Sequence, residues 1–214
     1  MALAAKPITI VGCGPGGPDH LTGAACQAVQ QAGLLIGARR LLELFPESSA
    51  ERLAVGTDID SVLQTMEAHL GRTSMAVLVT GDPGLHSLAQ PVVRRFGRDR
   101  CRILPGISSV QAAFAAAGLD WMEARVLSAH GSLPRVESRE LESVDKIAVL
   151  AGSPAALRWI GELAGRLGPR RVLVCEDLTL PDERVTEVQV GELAGFEASS
   201  RTVVLLLRPE ILAE

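Results

Sequence analysis

The sequence alternates short β-rich apolar segments with longer helical segments, and this alternation is the feature that most limits its possible folds. In the first part the predicted strands are Pro7 to Val11, Leu34 to Gly37, Met75 to Thr80, Arg102 to Leu104 and Arg125 to Ala129. The predicted helices are His20 to Ala32, Asp60 to Leu70, Ser87 to Phe96 and Ser108 to Ala117, with Asp58 or Asp60 as an N-cap. Such alternation is typical of an α/β protein with a largely parallel sheet.

The pattern restarts with different proportions after Leu119 to Met122. The second set of predicted elements is a strand at Ile147 to Leu150, a helix at Pro154 to Leu167, and strands at Val172 to Cys175, Arg184 to Val190 and Thr202 to Leu207. A chain of 214 residues that is 47% hydrophobic suffices for two small cores. We therefore predict α/β domains over residues 1–119 and 122–214, with a ligand cleft between them.

Composition excludes several classes of function. A net charge of -4 and only 3% aromatic residues argue against binding of nucleic acid, which favours basic surfaces and aromatic stacking. The four cysteines form no CxxC pair, so they predict neither a zinc site nor a disulfide framework, and we expect a reducing cytoplasm. No apolar segment approaches the roughly 20 residues of a membrane span.

A glycine-rich loop follows the first predicted strand. Residues 12–18 read GCGPGGP, which formally satisfies the dinucleotide-binding pattern GxGxxG. Pro15 and Pro18 remove backbone donors that a pyrophosphate would need, and the second strand is followed by Ala38 and Arg39 where an acidic residue is expected. An NADP-binding oxidoreductase that uses Arg39 is therefore the less favoured alternative.

Two further Gly/Pro turns follow predicted strands. They are Gly81 to Gly84 and Pro105 to Ser109. Turns after parallel strands meet at the carboxyl edge of the sheet, where α/β proteins bind ligands. The three turns together predict a stiff backbone shelf for a small ligand.

Six segments in order resemble the tetrapyrrole (precorrin-type) methyltransferases. They are GCGPGGPDHLT, TGDPGLHSLA, PGISSVQAAFAAAGLDW, LSAHG, VLAGSP and VCEDLTLPDERV, and they span nearly the whole chain. The resemblance implies two α/β domains, S-adenosylmethionine as cofactor, a tetrapyrrole substrate and a homodimer. Within the family, the segments look most like the branch that methylates C5 of precorrin-7, cobalt-precorrin-7 or precorrin-6Y in cobalamin synthesis.

The resemblance also implies a set of cofactor-binding residues. They are Pro15, Gly81, Asp82, Leu85, Ser108, Ser109, Leu150 and Leu178. Simpler roles stay open for three of them: Asp82 can close its own turn, and Ser108 and Ser109 can cap a helix. The segment Leu85 to Ser87 departs from the aromatic pair common in relatives.

Methyl transfer from a sulfonium proceeds by in-line displacement and needs positioning more than acid or base power. His130 is the best-placed candidate for accepting a proton, because an unperturbed histidine titrates near neutrality; the alternative is a loop histidine that bonds backbone. His86 and Glu176 are weaker candidates, and His20 and His69 resemble ordinary surface residues of helices.

A polycarboxylate substrate needs local positive charge in an acidic protein. Guanidinium groups bind carboxylates in bidentate pairs, and Arg39 and Arg125 are predicted to lie near loops on the ligand edge. No ligand cluster for a metal appears in the sequence. A non-catalytic binding module and a family member with another acceptor remain alternatives.

Overall fold

The computed structural model describes residues 8–212, and the chain divides into two compact units between Ser108 and Ser109. This division precedes the predicted boundary at Leu119 to Met122. The reason is the helix Ser109–Ala116, which packs near a strand of the second unit, Thr202–Leu207. The helix therefore belongs with the second set of elements, although it follows the first set along the chain.

The first unit is an α/β unit with a five-stranded parallel sheet. Its elements are β1 (Ile8–Gly12), α1 (Gly23–Gln30), β2 (Leu34–Gly37), α2 (Arg39–Leu42), β3 (Glu51–Ala54), α3 (Ile59–His69), β4 (Met75–Val79), α4 (Ala89–Phe96) and β5 (Cys101–Leu104). The strand order is β3-β2-β4-β1-β5, and every pairing is parallel. The predicted first strand starts at Pro7, which lies outside the described residues.

Helices cover both faces of this sheet. Alternate residues of β1, β2 and β4 pack against α3 and α4 on one face, and the intervening residues pack against α1 and α2 on the other. Burial on both faces explains why these strands are continuous apolar segments rather than alternating ones. Asp58 caps α3, where its Oδ1 accepts from the Ser61 amide at 3.0 Å, which decides between the two predicted caps.

The second unit combines helices with a mixed sheet. Its elements are α5 (Ser109–Ala116), β6 (Arg125–Ser128), β7 (Lys146–Ala151), α6 (Pro154–Arg166), β8 (Arg171–Glu176), β9 (Arg184–Val188) and β10 (Thr202–Leu207). The order is β6-β7-β10-β8-β9, and among these pairings β6 with β7 is the parallel one. The expectation of a largely parallel sheet is wrong for this unit, because β8 and β9 form a hairpin and β10 inserts antiparallel between β7 and β8.

Candidate active site

Three loops meet at the carboxyl edge of the first sheet. The Gly81 amide donates to the Gly14 carbonyl at 2.7 Å, which joins the loop after β1 to the loop after β4. A Cβ on Gly12 would lie 2.6 Å from the Gly106 nitrogen and 2.8 Å from the Gly81 oxygen. Real Cβ atoms do not approach backbone this closely, so the three backbones touch and glycine is required at their meeting point.

Asp82 ties the second loop to the third. Its Oδ1 accepts from the Gly84 amide at 2.7 Å, and its Oδ2 accepts from the Gly106 amide at 3.2 Å. The carboxylate therefore closes its own turn and also binds an amide of a separate loop. Hydrogen bonds to a charged acceptor are stronger than those between neutral groups, so this one side chain fixes two loops.

The other predicted cofactor-binding residues of the first unit lie on the same three loops. Pro15 and Ser108 are buried, and Leu85 is half-buried. The Leu85 amide donates to the Asp82 carbonyl at 3.1 Å, which continues the turn. Ser109 is the first residue of α5 and belongs to the second unit.

His20 lies against the first loop, and the sequence interpretation of it as an ordinary surface residue is wrong. Its Nδ1 is buried and has no hydrogen-bond partner among residues 8–212. A Cβ on Gly14 would lie 3.2 Å from the His20 Cβ, so the histidine packs on the backbone that receives Gly81. Nothing in the surrounding segment PDHLT predicts that the His20 Nδ1 atom is buried. The structure shows the reason: the histidine lies next to Gly14, whose φ of 72° shapes the first loop.

The second unit has a corresponding edge where β6, β7 and β8 end. Ser128 pairs with Leu150 across β6 and β7, while Ala151 and Glu176 both pair with Thr202 of β10. Because these strand ends share one edge, the residues that follow them lie near one another. Leu150 is half-buried and Leu178 is buried there.

His130 lies on this edge, two residues after β6. The residue is exposed, and its amide donates to the Ser128 hydroxyl at 3.4 Å. A Cβ on Gly152 would lie 3.2 Å from His130 Nδ1 and 2.5 Å from the Ser200 carbonyl oxygen. The imidazole is therefore next to the backbone that follows β7.

Glu176 has a structural partner at the end of β8. It is only 1% exposed; its Oε2 accepts from Arg184 Nη2 at 2.8 Å, and its Oε1 accepts from the Ser199 amide at 2.9 Å. Donors on both oxygens offset the cost of burying this carboxylate. The pair joins β8 to β9 next to their connection, where the two residues are register partners.

Arg39 is exposed at the start of α2, directly beyond the carboxyl end of β2. Its neighbour Arg40 donates to the Thr80 hydroxyl, which follows β4 at the same edge. The predicted location of Arg125 is wrong, because it is the first residue of β6 and pairs with Ile147 at the opposite end of the strand from His130. The predicted strand itself begins at Arg125, and ligands bind at the carboxyl ends of parallel strands, so the sequence already argued against this location.

The buried thiols at both edges are chemically quiet. Burial raises the pKa of Cys13, in the first glycine loop, to about 12, and raises the pKa of Cys175, in β8, to about 12. A thiol with such a pKa is almost entirely protonated near neutrality and is a poor nucleophile. Neither cysteine is suited to form a covalent intermediate.

The described part of the chain contains neither a metal centre nor a membrane span. Within residues 8–212 no group of three or more His, Cys, Asp or Glu side chains is arranged to hold a metal ion. None of the helices in this range has the length and apolar character needed to cross a membrane.

Comparison with protein families decides the identity of this arrangement. The model of the tetrapyrrole (corrin/porphyrin) methylases matches residues 7–194. The chain belongs to the tetrapyrrole methylase family. This confirms the predicted family, the two-sheet α/β fold and methyl transfer as the class of reaction, and it leaves the NADP-binding oxidoreductase without support.

Two cobalt-precorrin-7 C(5)-methyltransferases are similar to this chain over nearly their whole length, and a longer relative is similar over less than half of its length. The cobalt-precorrin-7 C(5)-methyltransferase of Salmonella typhimurium is 32% identical over 200 residues, which cover 92% of this chain and 98% of the relative. A probable cobalt-precorrin-7 C(5)-methyltransferase of Methanocaldococcus jannaschii is 26% identical, and the match covers 92% of this chain and 95% of the relative. The precorrin-6Y C(5,15)-methyltransferase of Mycobacterium tuberculosis is 29% identical, and only 45% of it is matched.

Solved structures of the family have the same fold. The precorrin-6Y methylase of cobalamin biosynthesis from Archaeoglobus fulgidus has a TM-score of 0.73 and 32% identity, and the match covers 94% of this chain and 98% of that one. A uroporphyrin-III C-methyltransferase from Thermus thermophilus, complexed with S-adenosylhomocysteine, has a TM-score of 0.78 at 22% identity, with coverage of 97% and 93%.

Proposed function

We propose that this chain is an S-adenosylmethionine-dependent C-methyltransferase that acts on C5 of precorrin-7, cobalt-precorrin-7 or precorrin-6Y in cobalamin biosynthesis. The observation that carries the proposal is the end-to-end similarity, at 32% identity, to a cobalt-precorrin-7 C(5)-methyltransferase. The Archaeoglobus structure supports the same branch at equal identity. The bifunctional precorrin-6Y enzyme is matched over less than half of its length, so only the C5 methylation is proposed.

The residues of both edges fit an adenosyl cofactor. The first edge offers a close-packed backbone cradle with little side-chain bulk at Gly12, Gly81 and Gly106. The second edge offers the half-buried side chain of Leu150 and the backbone at Leu178, whose own side chain is buried. When bound, S-adenosylmethionine supplies an electrophilic methyl group on a positively charged sulfur.

The carboxylate of Asp82 is positioned to hold the loops rather than the sulfur. Both of its oxygens already accept backbone amides. This arrangement favours catalysis, because a carboxylate against the sulfonium would stabilise the ground state, whose charge disappears in the transition state. The half-buried side chains of Leu85 and Leu150 and the backbone at Leu178 do not compete in this way. Pro15, Ser108 and Ser109 shape the backbone around the cofactor.

S-adenosylmethionine held by these residues would supply its methyl group to C5 of the ring by in-line displacement, with the sulfur as the leaving group. The chain must hold the two atoms about 3 to 3.5 Å apart and in line. His130 accepts the proton that the methylated ring loses, and Arg39 binds a carboxylate of the substrate. No protein nucleophile takes part.

The acceptor experiment tests the proposal directly. The protein is incubated with methyl-labelled S-adenosylmethionine and a panel of precorrins, with and without cobalt. We expect label in the precorrin-7 or precorrin-6Y class and none in uroporphyrinogen III. Label only in an earlier intermediate would assign the chain to another branch of the family.

Two variants test the side chains. His130→Gln keeps a hydrogen-bonding side chain but cannot titrate, so the pH profile of kcat should lose one limb. An unchanged profile returns His130 to the role of a loop residue.

Arg39→Ala should raise the KM for the tetrapyrrole. The control is Arg94→Ala, which removes an exposed arginine in the last turn of α4 and should leave this KM unchanged.

The setting of the reaction is also part of the proposal. Four free cysteines, two of them buried, suit a reducing cytoplasm.

We propose a homodimer, for which light scattering should give about twice the chain mass of 22.6 kDa. A mass of one chain at micromolar concentration would contradict it.

A further inference from the structure

A polar cluster holds the loop after β8 on the second edge. Asp177 Oδ1 accepts from the Ser199 hydroxyl at 2.9 Å and from Arg201 Nε at 2.7 Å. The Asp177 amide donates to the Arg201 carbonyl at 3.1 Å, so side chain and backbone both bind the turn that precedes β10. We call Asp177, Ser199 and Arg201 the clamp.

The clamp holds a backbone that the chain does not adopt freely. Asp177 has a φ of 47° and Thr179 has a φ of 68°, while Leu178 between them is only 4% exposed. The left-handed region is unfavourable for residues with a side chain, and more so for a β-branched threonine. Such conformations persist where the surroundings determine them and cluster at functional sites.

The turn held by the clamp also reaches the other side of the edge. Ser200, between the two clamp residues of the turn, places its carbonyl oxygen 2.5 Å from where a Cβ of Gly152 would be, and His130 Nδ1 is 3.2 Å from the same point. The Thr202 hydroxyl donates to the Ser199 carbonyl at 2.7 Å and fixes the turn to β10. One turn thus contacts the backbones next to both Leu178 and His130.

We propose that Asp177 is a positioning residue for cofactor binding, which it serves by holding the Leu178 backbone through Ser199 and Arg201. The proposal rests on the function proposed above, in which Leu178 contacts the adenosyl group. Because Asp177 acts through Leu178, its removal should weaken binding of the donor in the ground state and the transition state alike. Such a loss raises KM and leaves kcat nearly unchanged.

Three substitutions separate the clamp from the backbone strain. Asp177→Asn retains an acceptor oxygen and tolerates positive φ; Asp177→Gly tolerates positive φ but removes the clamp; Asp177→Ala loses both. We expect the affinity for S-adenosylhomocysteine, measured by calorimetry, to stay within about threefold of wild type for Asn and to fall at least about tenfold for Gly and Ala. The kcat at saturating donor should change less than about threefold in all of them.

A second measurement needs no ligand. The amide of residue 177 donates to the Arg201 carbonyl at 3.1 Å, so its exchange should accelerate in the Gly variant, since the loop is released, and stay slow in the Asn variant. If Asp177→Ala does not fold, Asn and Gly still carry the comparison. A Gly variant that binds like wild type, or that loses kcat without losing affinity, overturns the proposal.

The matched control is Glu187→Ala. Glu187 forms a bidentate pair with Arg171 at 2.7 and 2.8 Å between β8 and β9, away from the strand end that carries Asp177. Its loss should leave the affinity for S-adenosylhomocysteine unchanged. If wild type itself does not bind, the proposed function fails; if wild type binds and Asp177→Gly binds equally, only the positioning role fails.

Discussion

The two carboxyl edges hold their loops by glycine contacts and polar ties in different proportions, and the first edge adds the carboxylate of Asp82 to its glycine contacts. In the first unit the loops touch through glycines, and a Cβ on Gly106 would lie 2.5 Å from the Gly81 oxygen. In the second unit Gly152 also meets backbone closely, at the Ser200 carbonyl, but the loops are further fixed by charged pairs, such as Glu176 with Arg184 and Asp177 with Arg201. There the residues at positive φ next to the end of β8, Asp177 and Thr179, are not glycines.

A rigid ligand edge can therefore be built from close backbone packing or from polar ties, and each is damaged by a different change. Adding one carbon breaks the first arrangement, because backbone on both sides cannot move away. Removing a side chain breaks the second, because it leaves a buried polar group without its partner. Substitutions at the two edges can test this contrast.

Gly106→Ala should have the largest effect. The new Cβ meets the Gly81 oxygen at 2.5 Å and the Gly12 carbonyl carbon at 2.8 Å. We expect a loss of about 3 kcal/mol in the free energy of unfolding, which corresponds to a fall of roughly 10 °C in Tm, together with loss of S-adenosylhomocysteine binding. Gly56→Ala is the control, since nothing lies within 4 Å of its Cβ; equal Tm values for the two variants would contradict the backbone contact.

Arg184→Ala should have the next largest effect. It removes a guanidinium from the carboxylate of Glu176, which is 1% exposed and keeps the Ser199 amide as a donor. We expect a loss of about 2 kcal/mol in urea unfolding, below the range for fully buried pairs because the Arg184 side chain is 64% exposed. Arg184→Lys should recover part of this. No change in the unfolding midpoint would show that the pair contributes nothing.

Labelling of the four native cysteines tests how closed the two edges are, and it requires no substitution. Cys13 and Cys175 lie at the two edges with pKa values raised to about 12, so at pH 8 about one thiol in ten thousand is ionised. Maleimide should therefore label the half-buried Cys26 and Cys101 first. Burial also raises the pKa of Cys101, which should slow its labelling. Labelling of Cys13 as fast as Cys26 would show that the glycine-loop edge opens in solution.

Much of the fold could be predicted from the sequence, because buried strands are continuous apolar segments. The strands Leu34–Gly37 and Thr202–Leu207 agree with their predicted bounds. The strand Glu51–Ala54 is absent from the sequence prediction because it is an exposed edge strand without an apolar segment. The antiparallel part of the second sheet is also absent from it, although the short β8–β9 connection favours a hairpin over a crossover.

The site was predictable to the extent that it is local. Glycine and proline after a strand indicate a loop, and Asp82 lies within that motif. The clamp was not predictable, because Asp177 and Arg201 are 24 positions apart and are joined only once β10 inserts beside β8. The error at Arg125 is of another kind, because the predicted strand begins at this residue while ligands bind at the carboxyl ends of strands.

The most direct test is a titration of labelled protein with S-adenosylhomocysteine, observed through backbone amide shifts. We predict saturable shifts at Gly81, Leu85 and Ser108 of the first edge and at Leu150 and Leu178 of the second. The amides of Glu67 in α3 and Glu187 in β9 should not shift. Shifts absent from either set of residues, or no saturable shift at millimolar ligand, would contradict the proposed role of those residues in cofactor binding.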